Sequence, residues 1–220
     1  TLAYLLVAFL FIALTITSCK KDHHGSGDGD DNTNLTAYIQ VTNSAIGSTA
    51  QDFYLDNTKV NKWEVAYGSS TAFLPVKAGD HQARFKNSGS PKVNAALDLS
   101  ADPGKYYSVF YADSCSYSRY QDDRTAPQSG KARVRFINLS SKLSSNVDIA
   151  AAGGTKLVSN LAFKAASAYY DLDAATAFSL TLTDRSTALI DIPAGMQPGH
   201  IYTIYISGTT SATVTPHIVT

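Results

Sequence analysis

Side chains able to run acid–base or nucleophilic chemistry are scattered along this chain. His81, His200 and His217 each stand alone in sequence, Asp122 and Asp123 form an adjacent carboxylate pair, and Asp98 and Asp191 are single. A general acid or base works only within hydrogen-bond reach of its partner, and no spacing here brings two such groups together. The chain contains no G-x-S-x-G turn, H-E-x-x-H pair, G-x-G-x-x-G loop or phosphate-cradling glycine loop. We therefore expect no enzyme and no catalytic residues. Asp122 and Asp123 are expected at a solvated loop end. Asp98 and Asp191 occupy matching places in an internal repeat, which favours a structural role.

Metal chemistry fares no better. Asp22 with His23-His24 lies in a solvated spacer. Asp28, Asp30 and Asn32 imitate the start of a calcium loop. That loop needs Gly at its sixth position and Glu at its twelfth, where this chain has Thr33 and Ile39. No metal site and no cofactor are expected. Lys and Arg together number 18 against 18 Asp and Glu, so no basic footprint for nucleic acid exists.

Two cysteines are too few for a disulfide scaffold. The first, Cys19, closes an uncharged apolar run from Leu2 to Ile16. That run is shorter than the roughly 20 residues a spanning helix needs and suits the core of a secretory signal. It lacks a basic start and an initiator Met, so the signal is expected to begin upstream. Ile16-Thr17-Ser18-Cys19 resembles the lipobox of bacterial lipoproteins. The resemblance implies a diacylated Cys19 thiol, cleavage after Ser18 and a lipid anchor, with the protein at the outer membrane or cell surface of a Gram-negative bacterium. Lys20 to Asn34 carry no apolar side chain and read as a flexible tether. The acidic cluster after the cysteine is similar to surface-export signals of some Gram-negative lipoproteins.

The remainder is one unit written twice. Ala37–Asn43 aligns with Ala132–Asn138, Val65-Ala66-Tyr67 with Leu161-Ala162-Phe163, and Leu97-Asp98-Leu99 with Ile190-Asp191-Ile192. Pro103-Gly104 and Tyr107 align with Pro198-Gly199 and Tyr202. Four blocks in the same order at offsets of 93 to 96 define tandem repeats. Within each, apolar and polar residues alternate with period two, as in Phe178-Ser-Leu180-Thr-Leu182. The expected boundaries are a signal segment over 1–18, lipidated cysteine and tether over 19–34, repeats over 35–124 and 130–220, and a linker over 125–129. The expected fold class is all-β: two tandem immunoglobulin-like sandwiches, of fibronectin-III or transthyretin-like type. The Pro-Gly-x-x-Tyr pattern makes Tyr107 and Tyr202 candidate tyrosine corners, in which a strand's hydroxyl bonds back to upstream backbone.

The stretch Ala126-Pro127-Gln-Ser-Gly130-Lys131-Ala132-Arg133-Val134-Arg135-Phe136-Ile137-Asn138, continuing through Val147-Asp148 and Leu161-Ala162-Phe163 to Pro198-Gly199, resembles the domain of unknown function numbered 4397. The resemblance is clearest in the second repeat. It implies secreted or cell-surface bacterial β-sandwich modules, often in tandem and on lipoproteins, with no established catalytic residues to carry over. The first repeat departs from the pattern at Val65-Ala66-Tyr67, and its opening strand lacks both arginines.

A binding surface is expected at the last hairpin of the first repeat, from Tyr111, Cys115, Tyr117, Arg119 and Tyr120, because tyrosines offer rigid apolar area with a hydrogen-bonding edge. Cys115, at the hairpin tip, has three open fates: burial against the other repeat, an exposed thiol, or an intermolecular disulfide. Trp63 is assigned to the core, and Arg133 and Arg135 to a solvated strand face. The expected function is non-enzymatic binding, adhesion or scaffolding at the envelope, with a polysaccharide or protein as ligand. The alternatives are a polymer-acting enzyme with its site between the repeats, or a structural protein facing the periplasm.

Overall fold

The computed structural model describes residues 35–112 and 116–220. The segments expected to form the signal and the tether, with Cys19, and Cys115 lie outside the described residues. No helix among the described residues is long and apolar enough to cross a membrane. Module one contains β1 (Thr36–Asn43), β2 (Gln51–Leu55), β3 (Thr58–Lys59), β4 (Leu74–Lys77), β5 (Gly79–Asn87), β6 (Val93–Ala101), β7 (Tyr106–Ala112) and β8 (Ser116–Asp122). Module two repeats the series as β9 (Lys131–Asn138), β10 (Val147–Ala151), β11 (Lys156–Leu161), β12 (Tyr170–Asp173), β13 (Phe178–Leu182), β14 (Ala188–Ile192), β15 (Ile201–Ser207) and β16 (Thr215–Val219).

Each module is an eight-stranded sandwich. One sheet runs β4-β1-β7-β8 and the other β3-β2-β5-β6; module two has β12-β9-β15-β16 and β11-β10-β13-β14. The first strand lies parallel to the seventh in both (Ile39 beside Tyr107, Val134 beside Tyr202), and the other pairings are antiparallel. Constant-type immunoglobulin sheets group their strands ABED and CFG. Lettered the same way, these modules read DAGH and CBEF, the transthyretin-like arrangement of the expected set.

The period-two pattern explains each core. Ala37, Ile39 and Val41 of β1 meet Phe53, Phe85, Leu97 and Leu99 of the facing sheet, and Tyr107, Val109 and Tyr111 of β7 join them. In module two Ala132, Val134 and Phe136 meet Ile149, Phe178, Leu180 and Ile192. Full burial of the Val, Leu, Ile and Phe side chains among these stabilises by about 1.5–3 kcal/mol each.

The aligned sequence blocks correspond to repeated backbone devices. Asn43 ends β1 by donating its amide to the Val65 carbonyl at 3.1 Å and accepting from the Ala45 N–H at 3.2 Å. Asn138 does the same with the Leu161 carbonyl and Ser140 N–H, each at 3.0 Å. Gly104 and Gly199 sit at φ +71° and +82°, where a side chain would be strained, and donate to the Thr36 and Lys131 carbonyls. Five residues on from Asp102 and Gln197, the Tyr107 and Tyr202 hydroxyls accept those residues' backbone N–H groups at 3.1 and 2.9 Å. The hydroxyl satisfies a donor that the turn into the strand leaves unpaired.

Removing either hydroxyl leaves that amide unpaired at the sandwich corner. Tyr107→Phe and Tyr202→Phe are each expected to cost about 1 kcal/mol in denaturant unfolding with an unchanged m-value. A loss below a few tenths at both positions would show that the corner bonds do not hold the strands.

Candidate functional site

Strands β7 and β15 are buried from their second residue onward on both faces. A half-exposed sheet cannot produce that pattern. The outer face of each β1/β7-type sheet is covered by the other module, with Phe110, Ile137, Leu139 and Tyr205 forming a third hydrophobic cluster across the joint. The Phe110 and Tyr205 rings meet edge to face with centroids 5.2 Å apart.

Polar groups complete the joint. Arg135 is 2% exposed and pairs with the Asp122 carboxylate at the end of β8. Its Nε donates to the Thr203 hydroxyl at 2.9 Å, and its terminal nitrogens donate to the Ser108 hydroxyl at 3.1 Å and the Gln121 carbonyl at 3.3 Å. Ser108 donates to both Asp122 oxygens. Burial pushes the Asp122 carboxyl above its usual range, with Arg135 and Ser108 opposing that push. One strand register away, Arg133 bridges Asp123 and Asp171. Asp123 is held down to about 2, first by its hydrogen bonds from Thr125 and then by Arg133. A further cluster joins the Tyr67 hydroxyl to Ser207 at 2.8 Å, and the Ser207 hydroxyl to His217 Nε2 at 2.9 Å. The His217 ring stacks on Tyr205, and burial lowers its pKa.

This joint corrects several sequence expectations. Arg133 and Arg135 do not form a solvated face, because the Asp122-Asp123 step ending module one supplies their partners; for the same reason Asp122 is buried rather than solvated. Tyr111, expected on a binding surface, is 5% exposed and packs its ring 5.3 Å from Phe85, since its position in β7 points into the core. Tyr120 is half-buried against Phe110, and its hydroxyl donates to the Lys164 carbonyl of module two. Of the expected surface only Tyr117 and Arg119 are exposed, on alternate positions of β8; Cys115 falls outside the described residues. Arg119 lies over the Tyr107 ring and donates to the Ser100 carbonyl.

The candidate catalytic groups are dispersed. His81 is held between the Asp56 carboxylate at 2.6 Å and the Lys77 carbonyl at 2.7 Å. Burial alone would lower its pKa, but these two bonds outweigh it and raise it; the same His81 bond lowers that of Asp56. His200 is exposed in the residue just before β15, and Asp98 and Asp191 are exposed on their strands. No group of three or more His, Cys, Asp or Glu side chains able to hold a metal occurs among the described residues.

Sequence reasoning placed Trp63 in the core. It is 74% exposed, on the loop after β3, beside a groove of about 300 Å³ lined by Lys62, Glu64, Ser69, Ser70, Thr71 and Leu74. An exposed tryptophan is uncommon because its ring carries so much apolar area. The available sequence signal was its setting: Lys62 and Glu64 flank it, a polar neighbourhood for a core position.

The buried pair has a directional consequence. Removing one partner leaves an uncompensated charge, so Arg135→Met and Asp122→Ala are each expected to cost about 3–5 kcal/mol, whereas Arg135→Met with Asp122→Leu recovers most of that loss. Additive losses in the double variant, measured by denaturant unfolding, would mean that the two side chains are not coupled.

Among solved structures, the chain is similar to the crystal structure of CBMbc (family CBM26) from Eubacterium rectale Amy13K in complex with maltoheptaose. The identity is 11%, coverage is 84% of this chain and 98% of that one, and the TM-score is 0.27, too low to carry fold or ligand across. No curated protein matches the chain. A family model matches residues 37–150, which is module one from the second residue of β1 onward and then β9 with most of β10. The match therefore falls mainly on module one, whereas the resemblance in sequence was clearest in module two. The chain belongs to the family described as Domain of unknown function (DUF4397).

Proposed function

We propose that this chain acts without catalysis, as a lipid-anchored binding and scaffolding unit of a bacterial cell envelope. In this proposal Cys19 carries the acyl chains, residues 20–34 form the tether, and the paired modules present contact surfaces to a polysaccharide or protein ligand at the outer membrane or cell surface. The observation that carries the reading is the packed joint between the modules. A polymer-acting enzyme with its site between the repeats would need that space, and Phe110, Ile137, Leu139 and Tyr205 fill it. The carboxylates and histidine that acid–base chemistry would draw on are already bonded: Asp122 to Arg135, Asp123 to Arg133 and Thr125, and His81 to Asp56. A tandem of rigidly joined sandwiches holds a binding surface at a fixed orientation, which reduces the ordering cost of contact.

The anchor is supported by the Ile16-Thr17-Ser18-Cys19 sequence. Buried acyl chains contribute about 0.8 kcal/mol per methylene, so a multiply acylated cysteine holds firmly. Protease shaving of intact cells tests anchor and face together. The modules are expected to be digested from intact wild-type cells, and to leave the membrane fraction when Cys19→Ala is expressed. Protection until the outer membrane is opened would turn the modules inward and favour the periplasm-facing structural role. Unchanged membrane association of Cys19→Ala would remove the lipid anchor.

A further inference from the structure

We infer that Trp63 is the stacking platform of a polysaccharide-binding site on module one, with a neutral glycan as ligand; this rests on the binding-unit reading and names its ligand class. The fold does not need this ring. In both modules the second strand is tied to the third in the same way: Lys59 pairs with Asp52 and Lys156 with Asp148, each at 2.6 Å. Val65 then bridges Gln51, as Leu161 pairs with Val147. Between these fixed points, module one has one residue more (Lys59 to Val65 against Lys156 to Leu161), and the longer segment carries Trp63. Module two closes its ladder there with Val158, Ser159 and Asn160 and no aromatic side chain.

The backbone beneath the ring is fixed although the ring is exposed. Asn61 is 2% exposed; its Oδ1 accepts the Phe53 N–H at 2.7 Å and its Nδ2 donates to the Trp63 carbonyl at 2.7 Å. Two residues on, Val65 exchanges both backbone hydrogen bonds with Gln51, at 2.8 and 2.9 Å. With the backbone held on both sides of it, the ring keeps a defined position and an exposed apolar surface for a flat ligand, with the mobile Lys62 side chain over it.

The chemistry of the groove selects the ligand. Ser69, Ser70 and Thr71 line it; the Ser70 hydroxyl is bonded to that of Thr42 and the Thr71 hydroxyl accepts the Val41 N–H, which leaves each part of its bonding capacity. Lys62 Nζ lies over the indole, 5.2 Å from its centroid, and Glu64 lines the groove with the opposite charge. At about 300 Å³ the groove sits at the small end of ligand sites, which run from roughly 300 to 1,000 Å³. A sugar ring combines an apolar C–H face, suited to indole, with equatorial hydroxyls suited to that rim. A nucleic acid would call for a basic groove, and the Lys62 and Glu64 charges cancel. A protein hot spot would call for a desolvated apolar surround, and this rim is hydroxylated and charged.

Trp63 is the only tryptophan of the chain, so its own emission reports the site. The full chain, purified in detergent, is titrated with a soluble α-glucan, β-glucan and mannan. At least one is expected to shift the emission to the blue and reduce acrylamide quenching, saturably. In affinity electrophoresis with that polysaccharide, Trp63→Ala should weaken binding by about tenfold or more without changing the unfolding temperature, and Trp63→Tyr should recover part of it. Undiminished retardation of Trp63→Ala would place glycan binding elsewhere, overturning this site while leaving the binding unit standing. No emission response to any of the three would overturn the proposal outright, and cell shaving then judges the envelope reading separately.

Discussion

Arg135 is the constraint on which the arrangement of the modules turns. A guanidinium 2% exposed is tolerable only if a carboxylate and further acceptors surround it, and all of them sit where the first module ends and the second folds back. Asp122 closes β8, Gln121 precedes it, Ser108 faces them from β7, and Thr203 comes from module two. The ion pair does not need to add net stability to matter. A docking that buried Arg135 away from Asp122 would strand a charge, so the pair favours the geometry that the apolar cluster of Phe110, Ile137, Leu139 and Tyr205 stabilises. The Arg133 bridge to Asp123 and Asp171 fixes the linker side of the same joint.

The internal repeat separates what a module needs from what the pair needs. Positions recurring in both copies are backbone devices: the Asn43 and Asn138 staples, the Gly104 and Gly199 turns, the Tyr107 and Tyr202 corners. Positions facing the joint diverge. Gln40 stands where the second copy has Arg135, and bonds the carbonyls of Thr71 and Thr220 instead; Phe110 stands where the second copy has Tyr205. An asymmetric joint requires that divergence, since each module offers the other a different surface. Trp63 belongs to neither group: it has no counterpart in the second copy and does not face the joint.

Much of the module was legible from periodicity. Alternation in Ile39/Val41 and Val134/Phe136 marked the core faces, and the last hairpin of the first repeat was visible as a strand pair around a polar turn. Alternation reports that a side chain faces away from its own core; it says nothing about what lies on the other side. Arg135 and Arg133 therefore read as solvated, although carboxylates from a different module cover them. Tyr111 and Tyr117 look alike as tyrosines near a turn, and only their strand positions send one into the core and leave the other exposed. Trp63 was misplaced because composition alone assigns a lone large aromatic to the interior; the Asn61 clamp beneath it depends on contacts with Phe53 and Gln51 across the sheet.

If Arg135 and Asp122 lock the pair, the modules must move as one body in solution. Amide nitrogen relaxation measured on both modules tests this most directly. A single rotational correlation time, shared by amides of β1–β8 and β9–β16 and appropriate to the whole pair, is the expected result. Two shorter and independent correlation times, one per module, would contradict a locked joint and leave two sandwiches swinging on the 125–129 linker.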